Sequence, residues 1–156
     1  MNTLELGRNL QSTKIRTSEL LQVPTGEITE QGIRKNILVG IKSLEALIRE
    51  NRSVPLYDLM EDAATVEICR SQLWQWIHHR ATMKNGGRVN AMLVKMIMRQ
   101  ELQSILNELG EEKFEQGEYL LASEILGRMI TSDNFPDFLT NSSYQHVLRL
   151  EEKARA

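Results

Sequence analysis

The sequence predicts an all-α domain, a bundle of four or five helices, and two observations carry this prediction. Apolar residues recur at helical spacing along most of the chain, and no convincing stretch of period-two alternation indicates a β-strand. The length of 156 residues fits one compact domain with its own core and leaves little room for a second. We therefore expect one helical domain over residues 17–156.

The first helical signals follow a polar N-terminal stretch. Residues 1–16 contain isolated leucines without a sustained period, so we expect a flexible leader or linker there. A short helical turn is expected at 17–21, and Thr29 is a suitable N-cap for the first long helix. Ile28 and Ile33 flank this cap in positions that suit a hydrophobic staple. The apolar face of this helix comprises Ile33, Ile37, Ile41, Leu44 and Ile48.

Two further helices are bounded by clear start and stop residues. The second is expected from about Ala63 to Arg80, and Asn85-Gly86-Gly87 follows it. Asn90 is placed to begin the third helix, and Gly110 stands where a left-handed C-terminal residue is wanted. The second helix should face inward with Val66, Cys69, Leu73, Trp76 and Ile77, and the third with Leu93, Met96, Ile97, Leu102, Ile105, Leu106 and Leu109.

The remaining helical signals complete the predicted bundle. A fourth helix is expected at roughly 113–131, before the turn that Asp133 to Pro136 forces. A short last helix is expected around residues 144–151. The inward positions of the fourth helix are Phe114, Leu121, Ile125 and Met129, and the seven methionines of the chain are most simply irregular core filler.

Composition narrows the classes of function. The 19 Lys and Arg residues nearly balance the 21 Asp and Glu residues, so no overall field favours a nucleic acid or an anionic membrane as partner. The apolar stretches are far shorter than a bilayer span. Cys69 is the single cysteine, which excludes an internal disulfide and a thiol-rich metal site. These features predict a cytoplasmic protein that binds neither nucleic acid nor membrane.

The segment from Leu59 to Thr65 is the strongest candidate for chemistry, because it delivers Glu61 and Asp62 to a predicted helix start. Apolar neighbours such as Met60 would partly dehydrate a carboxylate and raise its pKa, whereas a helix N-terminus stabilises the ionised form. Asp62 could therefore serve as a positioned but weak base for a proton that another group has acidified. Taken alone, the residues favour a simpler role, in which Asp62 caps the helix.

Other residues offer weaker chemical signals. His78 and His79 are expected to be solvated residues at a helix end, since adjacent histidines point in different directions. Trp74 and Trp76 cannot share a helix face, so one should pack in the core and the other near a surface or interface. Cys69 lies on an apolar stripe and is expected to be a small buried hydrophobe.

A modest basic surface leaves one further alternative open. Lys84, Arg88, Lys95 and Arg99 lie in a region, residues 71–104, that could form a helix-turn-helix. The net acidity of the chain and the lack of a basic arm argue against DNA binding.

Four segments resemble the C-terminal helical domain of malate synthase, with most likeness to the shorter A-type enzymes. The segments are Gly26 to Glu30, Gly32 to Ile41, Leu59 to Thr65 and Gln72 to His79. Their order and spacing match, and the resemblance covers about residues 17–148. The combination of Met-Glu-Asp-Ala-Ala-Thr with Trp-Gln-Trp is specific to this family.

The resemblance implies a function for the Leu59 to Thr65 segment. The family condenses acetyl-CoA with glyoxylate and water to give malate and CoA, a transferase reaction of the glyoxylate cycle, and a TIM barrel holds the glyoxylate with Mg²⁺. The helical domain closes the barrel mouth. By resemblance, Asp62 removes a methyl proton from acetyl-CoA while a barrel arginine stabilises the enolate, and Met60 lines the pocket. Glu61 matches the motif without an assigned role.

The chain also departs from the family pattern and carries only part of the expected active site. Asp58 stands where a non-acidic residue is usual, and Cys69 replaces a usual serine. A malate synthase barrel needs a couple of hundred residues or more, with the magnesium carboxylates and the arginine. We therefore expect no metal site in this chain, no cofactor bound by it alone, and no activity of the isolated chain.

Two interpretations remain besides DNA binding. The chain is either the C-terminal part of a malate synthase, whose barrel lies in the same parent protein or in a separate chain, or a non-catalytic helical module that binds another protein. In either case an apolar face that normally caps a barrel would be exposed, and it could support a homodimer.

Overall fold

The structure is helical with one small hairpin. It is a computed structural model that describes residues 16–22, 26–49, 54–56, 59–61 and 63–135. The helices are α1 (Thr17–Leu20), α2 (Glu30–Ile48), α3 (Ala63–His78), α4 (Ala91–Leu109), α5 (Glu111–Gln116) and α6 (Tyr119–Thr131). Strands β1 (Val54–Leu56) and β2 (Leu59–Glu61) pair antiparallel between α2 and α3. The all-α prediction is confirmed, and the hairpin adds to it because strands of three residues are too short to show a period.

Helix α2 is the centre of the bundle, because it packs against α3, α4 and α6. Its five predicted core residues are all buried, so this part of the prediction is confirmed. The Oγ1 atom of Thr29 accepts a hydrogen bond of 3.0 Å from the backbone N–H of Gly32, as expected for an N-cap. A Cβ atom at Gly40 would lie 2.9 Å from Cδ2 of Leu126, so glycine allows α2 and α6 to approach closely.

Helix α4 begins and ends where the sequence predicts. Oδ1 of Asn90 accepts a 2.9 Å hydrogen bond from the N–H of Leu93, and Gly110 ends the helix with a positive φ of 81°. The prediction that Met96 faces inward is wrong, since Met96 is 47% exposed. The buried stripe of α4 is instead Val94, Ile97, Met98, Glu101 and Ile105, because α4 contacts both α2 and α6.

A partly buried ion pair links α4 to α2. Nη1 of Arg34 lies 2.9 Å from Oε1 of the buried Glu101, and Nη2 donates a 2.6 Å hydrogen bond to Oε1 of Gln100. The same guanidinium also pairs with Glu30, one turn earlier on α2. Glu101 can therefore be buried on the inner side of α4 because its charge is paired.

Two predicted helix boundaries are wrong. Helix α3 stops at His78 rather than at Arg80, which has a left-handed φ of 48°. The predicted helix at 113–131 is divided into α5 and α6 at Gly117. A Cβ atom at Gly117 would meet the Tyr119 ring at 2.5 Å, and Oε1 of the buried Glu45 accepts a 3.3 Å hydrogen bond from the N–H of Glu118. This carboxylate from α2 stabilises a new helix start that local sequence does not reveal.

Two predictions fall outside the residues that the structure describes, namely residues 1–15 of the leader predicted at 1–16 and the last helix at 144–151. In the ranges that are described, no helix combines the length and apolar character that a bilayer crossing would need.

Candidate functional site

The predicted site lies where the hairpin leads into α3. Met60 is the middle residue of β2 and pairs with Pro55 of β1, and Glu61 pairs with Val54. Glu61 ends β2 and Ala63 begins α3. Asp62, between them in sequence, lies outside the described residues, as does Asp58, and the Met60 side chain is likewise not described. The structure thus gives the backbone frame of the site and leaves the predicted roles of Asp62 and Met60 as predictions.

Helix α3 gives this frame a fixed support, because it packs against both α2 and α6. Val66 and Leu73 are fully buried in the main core. Cys69 is 4% exposed and packs with Val39 of α2, so its prediction as a small buried hydrophobe is confirmed. A hydrogen bond of 2.8 Å from Nδ2 of Asn36 to Oε1 of Gln72 adds a polar link between α2 and α3.

Arg70 is a residue of α3 that sequence reasoning missed. Its side chain is only 1% exposed, which makes it one of the largest fully buried side chains in the described part of the chain. Nη2 of Arg70 lies 2.5 Å from Oε2 of Glu67, and its guanidinium carbon lies 4.3 Å from the centre of the Phe135 ring. The available signal is its spacing, four residues after Val66 and three before Leu73, on the buried stripe of the helix.

Trp74 joins α3 to the segment that follows α6. Its Nε1–H donates a 2.8 Å hydrogen bond to the carbonyl oxygen of Ser132, and its ring meets that of Phe135 edge-on at 5.3 Å. Trp76 packs against the main core, so the two tryptophans divide between core and periphery as predicted. His78 and His79 are both exposed at the helix end, also as predicted, and His78 stacks on Trp74 at 4.4 Å.

The basic surface does not have the geometry of a helix-turn-helix. Residues 79–90 separate α3 from α4, whereas that motif joins its helices by a turn of about three or four residues. Lys84 forms an ion pair of 2.7 Å with Glu27. A search of the described side chains finds no group of three or more His, Cys, Asp or Glu residues placed to hold a metal ion.

Comparison with known proteins decides the family. The model of the family described as "Malate synthase, C-terminal" matches residues 27–147. This chain belongs to that family. The matched range contains the hairpin, the Asp62 position and the helices α2 to α6, so the family likeness covers the whole frame of the candidate site.

Individual malate synthases support the same assignment. Malate synthase A of Escherichia coli is 44% identical over 144 residues, which cover 92% of this chain and 27% of that protein. The glyoxysomal malate synthase of Cucurbita maxima is 39% identical over 150 residues, covering 94% of this chain and 26% of its own. Malate synthase of Myxococcus xanthus is 39% identical over 140 residues, covering 90% and 26%. The chain therefore spans about a quarter of the length of these relatives.

Proposed function

We propose that this chain supplies the general base Asp62 to a malate synthase active site whose barrel lies elsewhere in the enzyme. The observation that carries the proposal is the family match over residues 27–147, which includes the Met60-Glu61-Asp62 motif at the start of α3. The reaction is the condensation of acetyl-CoA with glyoxylate and water, which gives malate and CoA. Mg²⁺, bound by the barrel, would hold the glyoxylate and polarise its carbonyl group.

Asp62 directly precedes Ala63, the first residue of α3, and this sequence position suits a carboxylate base. A residue that directly precedes a helix lies near the free N–H groups and the positive end of the helix dipole, which stabilise a carboxylate. Such a carboxylate can take the methyl proton of acetyl-CoA only when the forming enolate is stabilised by a positive group. The enolate carbon then forms a bond to the aldehyde carbon of glyoxylate, and water cleaves the thioester to release CoA. Met60 would provide an apolar wall beside the reacting carbons.

The rigid support of α3 favours this role. A base must be held near its productive geometry, and helix α3 is fixed by the core residues Val66 and Leu73 and by the contacts of Arg70 and Trp74 with the segment after α6. The outer face of α3 carries Ile68, which is 59% exposed. We infer that the remaining three quarters of the enzyme covers Ile68, and that the isolated chain could dimerise through the same face.

A chimera tests the catalytic role. This chain would replace the matching C-terminal quarter of Escherichia coli malate synthase A, and CoA release would be measured with acetyl-CoA and glyoxylate. We expect Asp62→Asn to lower kcat by at least about 100-fold, with little change in the KM for acetyl-CoA. Asparagine caps helices about as well as aspartate, so this loss would not arise from a capping defect. Glu61→Gln is the matched control and should retain activity.

Two results would contradict the proposal. Full activity of the Asp62→Asn chimera would favour a non-catalytic module, and malate formation by the isolated chain would show that the barrel is not needed.

For the pocket role of Met60, we expect Met60→Ala to lower kcat/KM about tenfold and Met60→Leu to retain it. For the docking face, Ile68→Asp should impair association with a separately expressed barrel, whereas Leu120→Asp, at a 67% exposed position on α6, should not.

The cellular location remains part of this proposal. The single cysteine suits a reducing compartment, which agrees with the cytoplasm, whereas the Cucurbita maxima relative is named as glyoxysomal.

A further inference from the structure

A groove between α4 and α6 has a chemical character that the proposed catalytic role does not explain. It has a volume of about 430 Å³. Lys95 and Arg99 stand on its α4 side, and Ser123, Glu124 and Arg128 stand on its α6 side. The volume lies within the range of sites that bind small organic molecules.

Two of the three cations in this groove have no partner of opposite charge. Lys95 and Arg99 are exposed and form neither an ion pair nor a side-chain hydrogen bond with any residue that the structure describes. The Glu124 carboxylate is already engaged, since its Oε1 lies 2.6 Å from Nη2 of Arg128. The groove therefore presents two uncompensated positive charges, which suits an anion that carries two negative charges.

A hydroxyl group on a mostly buried residue, Ser123, lines the same groove. Ser123 is 8% exposed, and within the described ranges its hydroxyl makes no hydrogen bond. Other helix hydroxyls bond back to the preceding turn, as Thr131 does to the carbonyl oxygen of Gly127 at 2.7 Å. The Ser123 oxygen is reachable from solvent in the groove, so its O–H is available as a donor to a bound oxyanion.

The floor of the groove is apolar. Met98 and Leu102 of α4 line it, and Gly127 of α6 leaves it open. A Cβ atom at Gly127 would lie 3.4 Å from Cε of Met98, so any larger residue would fill this space. Apolar surface of this kind favours a ligand that carries a hydrophobic or aromatic body beside its charged group.

We propose that this groove is a binding site for an organic phosphate, that is, a phosphate monoester on an aromatic or apolar body. The guanidinium of Arg99 would bind two phosphate oxygens, Lys95 would supply the second charge, and the Ser123 hydroxyl would donate to a third oxygen. The body of the ligand would lie on Met98 and Leu102. The residues that line the groove belong to α4 and α6, and none of them belongs to the hairpin or to α3, which flank the position of the proposed catalytic base.

Titration of the full 156-residue chain tests this proposal. Phenyl phosphate, inorganic phosphate, benzoate and phenol would be titrated separately, with backbone amide chemical shifts and calorimetry as readouts. We expect phenyl phosphate to bind at least about tenfold more tightly than inorganic phosphate, with shift changes at residues 95–102 and 123–131. Benzoate should bind more weakly, because it has fewer oxygens and one charge, and phenol should not bind.

Variants at exposed positions keep the test independent of folding. We expect Lys95→Gln with Arg99→Gln to weaken phenyl phosphate binding at least about tenfold, and Ser123→Ala to weaken it by about three- to tenfold. The matched control changes two cations outside the groove, Arg88→Gln with Lys113→Gln, and should leave binding unchanged. Equal losses in both double variants, shift changes spread over all basic surfaces, or tighter binding of inorganic phosphate would each overturn the proposal. None of these results depends on Asp62 or on a barrel.

Discussion

Helices α2 and α3 pack against each other, but their buried residues follow different rules. In α2 the predicted apolar stripe is the buried face, and its five members are at most 5% exposed. In α3 a charged residue, Arg70, is 1% exposed, while an apolar residue, Ile68, is 59% exposed. The predicted apolar stripe therefore describes most of the inward face of α2, which also buries Ser43 and Glu45, whereas in α3 residue polarity alone would misplace both Arg70 and Ile68.

This difference bears on the proposed role of α3. Most of the inward face of α2 is the apolar stripe expected of a core helix, and its buried Glu45 carboxylate accepts a hydrogen bond from the N–H of Glu118. The buried arginine of α3 requires the Glu67 carboxylate and the Phe135 ring to offset its desolvation, and its exposed isoleucine has no role in the described core. Both features would suit the proposed role of α3, in which Asp62 directly precedes its first residue and its outer face is covered by the rest of the enzyme.

The largest expected effect is a loss of stability when a core residue of α2 is truncated. Ile37→Ala, at a fully buried position of α2, should lower the free energy of unfolding by about 2–5 kcal/mol, because it removes packed atoms and leaves a cavity. Ile68→Ala on α3 should change it by less than about 0.5 kcal/mol. Urea denaturation of both variants would measure this. A similar loss in both would mean that Ile68 is part of the core, and the comparison would fail.

Arg70→Ala tests whether the buried charge of α3 supports the fold. We expect a loss of about 3 kcal/mol in the free energy of unfolding, because the cation and its contacts with Glu67 and Phe135 are removed together. Arg70→Met should cost less, since it keeps an unbranched apolar stem in the same space. Arg128→Ala, which removes an exposed ion pair with Glu124, is the control and should cost less than about 1 kcal/mol. If Arg128→Ala cost as much as Arg70→Ala, burial would not be the cause.

Trp74→Phe tests the link between α3 and the segment after α6. The change keeps an aromatic ring beside His78 and Phe135 and removes the hydrogen bond from Nε1 to Ser132. We expect a loss of about 1 kcal/mol in thermal or chemical denaturation. Gln75→Ala, at the neighbouring exposed position, should be neutral. An unchanged stability of Trp74→Phe would show that the hydrogen bond does not anchor this segment.

The smallest expected effect concerns Tyr119, the first residue of α6, which lies near Glu45 of α2. Burial raises the pKa of the Tyr119 phenol above its usual value of 10.0, and the nearby Glu45 carboxylate acts in the same direction. The unfolded chain then loses the phenolic proton at a lower pH than the folded chain, so stability falls as the pH rises above about 10. Tyr119→Phe should make this alkaline fall shallower and leave stability near pH 7 little changed. Denaturation curves between pH 8 and pH 11 would check it, and identical slopes would exclude the effect.

Local rules predicted the ends of the helices well. The N-caps Thr29 and Asn90 and the stop at Gly110 depend on bonds within a single turn, so the sequence contains all the information they need. The same rules did not detect the break at Gly117, because the carboxylate that accepts from the next residue comes from Glu45, far away in the chain. Met96 was assigned to the wrong face because the buried face of α4 is set by its contacts with both α2 and α6.

The candidate site, like the helices, was predicted from the sequence only in part. The motif around Asp62 and the tryptophan pair identified the family, which the match over residues 27–147 confirmed, while the proposed roles of Asp62 and Met60 remain predictions. The spacing of Arg70 places it on the buried stripe of α3 but does not reveal its partners, and the groove at Lys95, Arg99 and Ser123 has no signal in the sequence. Both depend on side chains from separate elements meeting in space, and sequence order does not encode which helix faces meet.

The sequence by itself determined the helical class, the caps, the apolar stripe of α2 and the family. These follow from interactions within a few residues or from a motif that is contiguous in the chain. The tertiary structure decided that Arg70 is buried, that Ile68 is exposed and that α5 and α6 separate at Gly117. It also decided that Lys95 and Arg99, which pair with no described residue, share a groove with the Ser123 hydroxyl. Those outcomes were set by how three or four helices pack together, because each depends on desolvation and on partners that lie far apart along the chain.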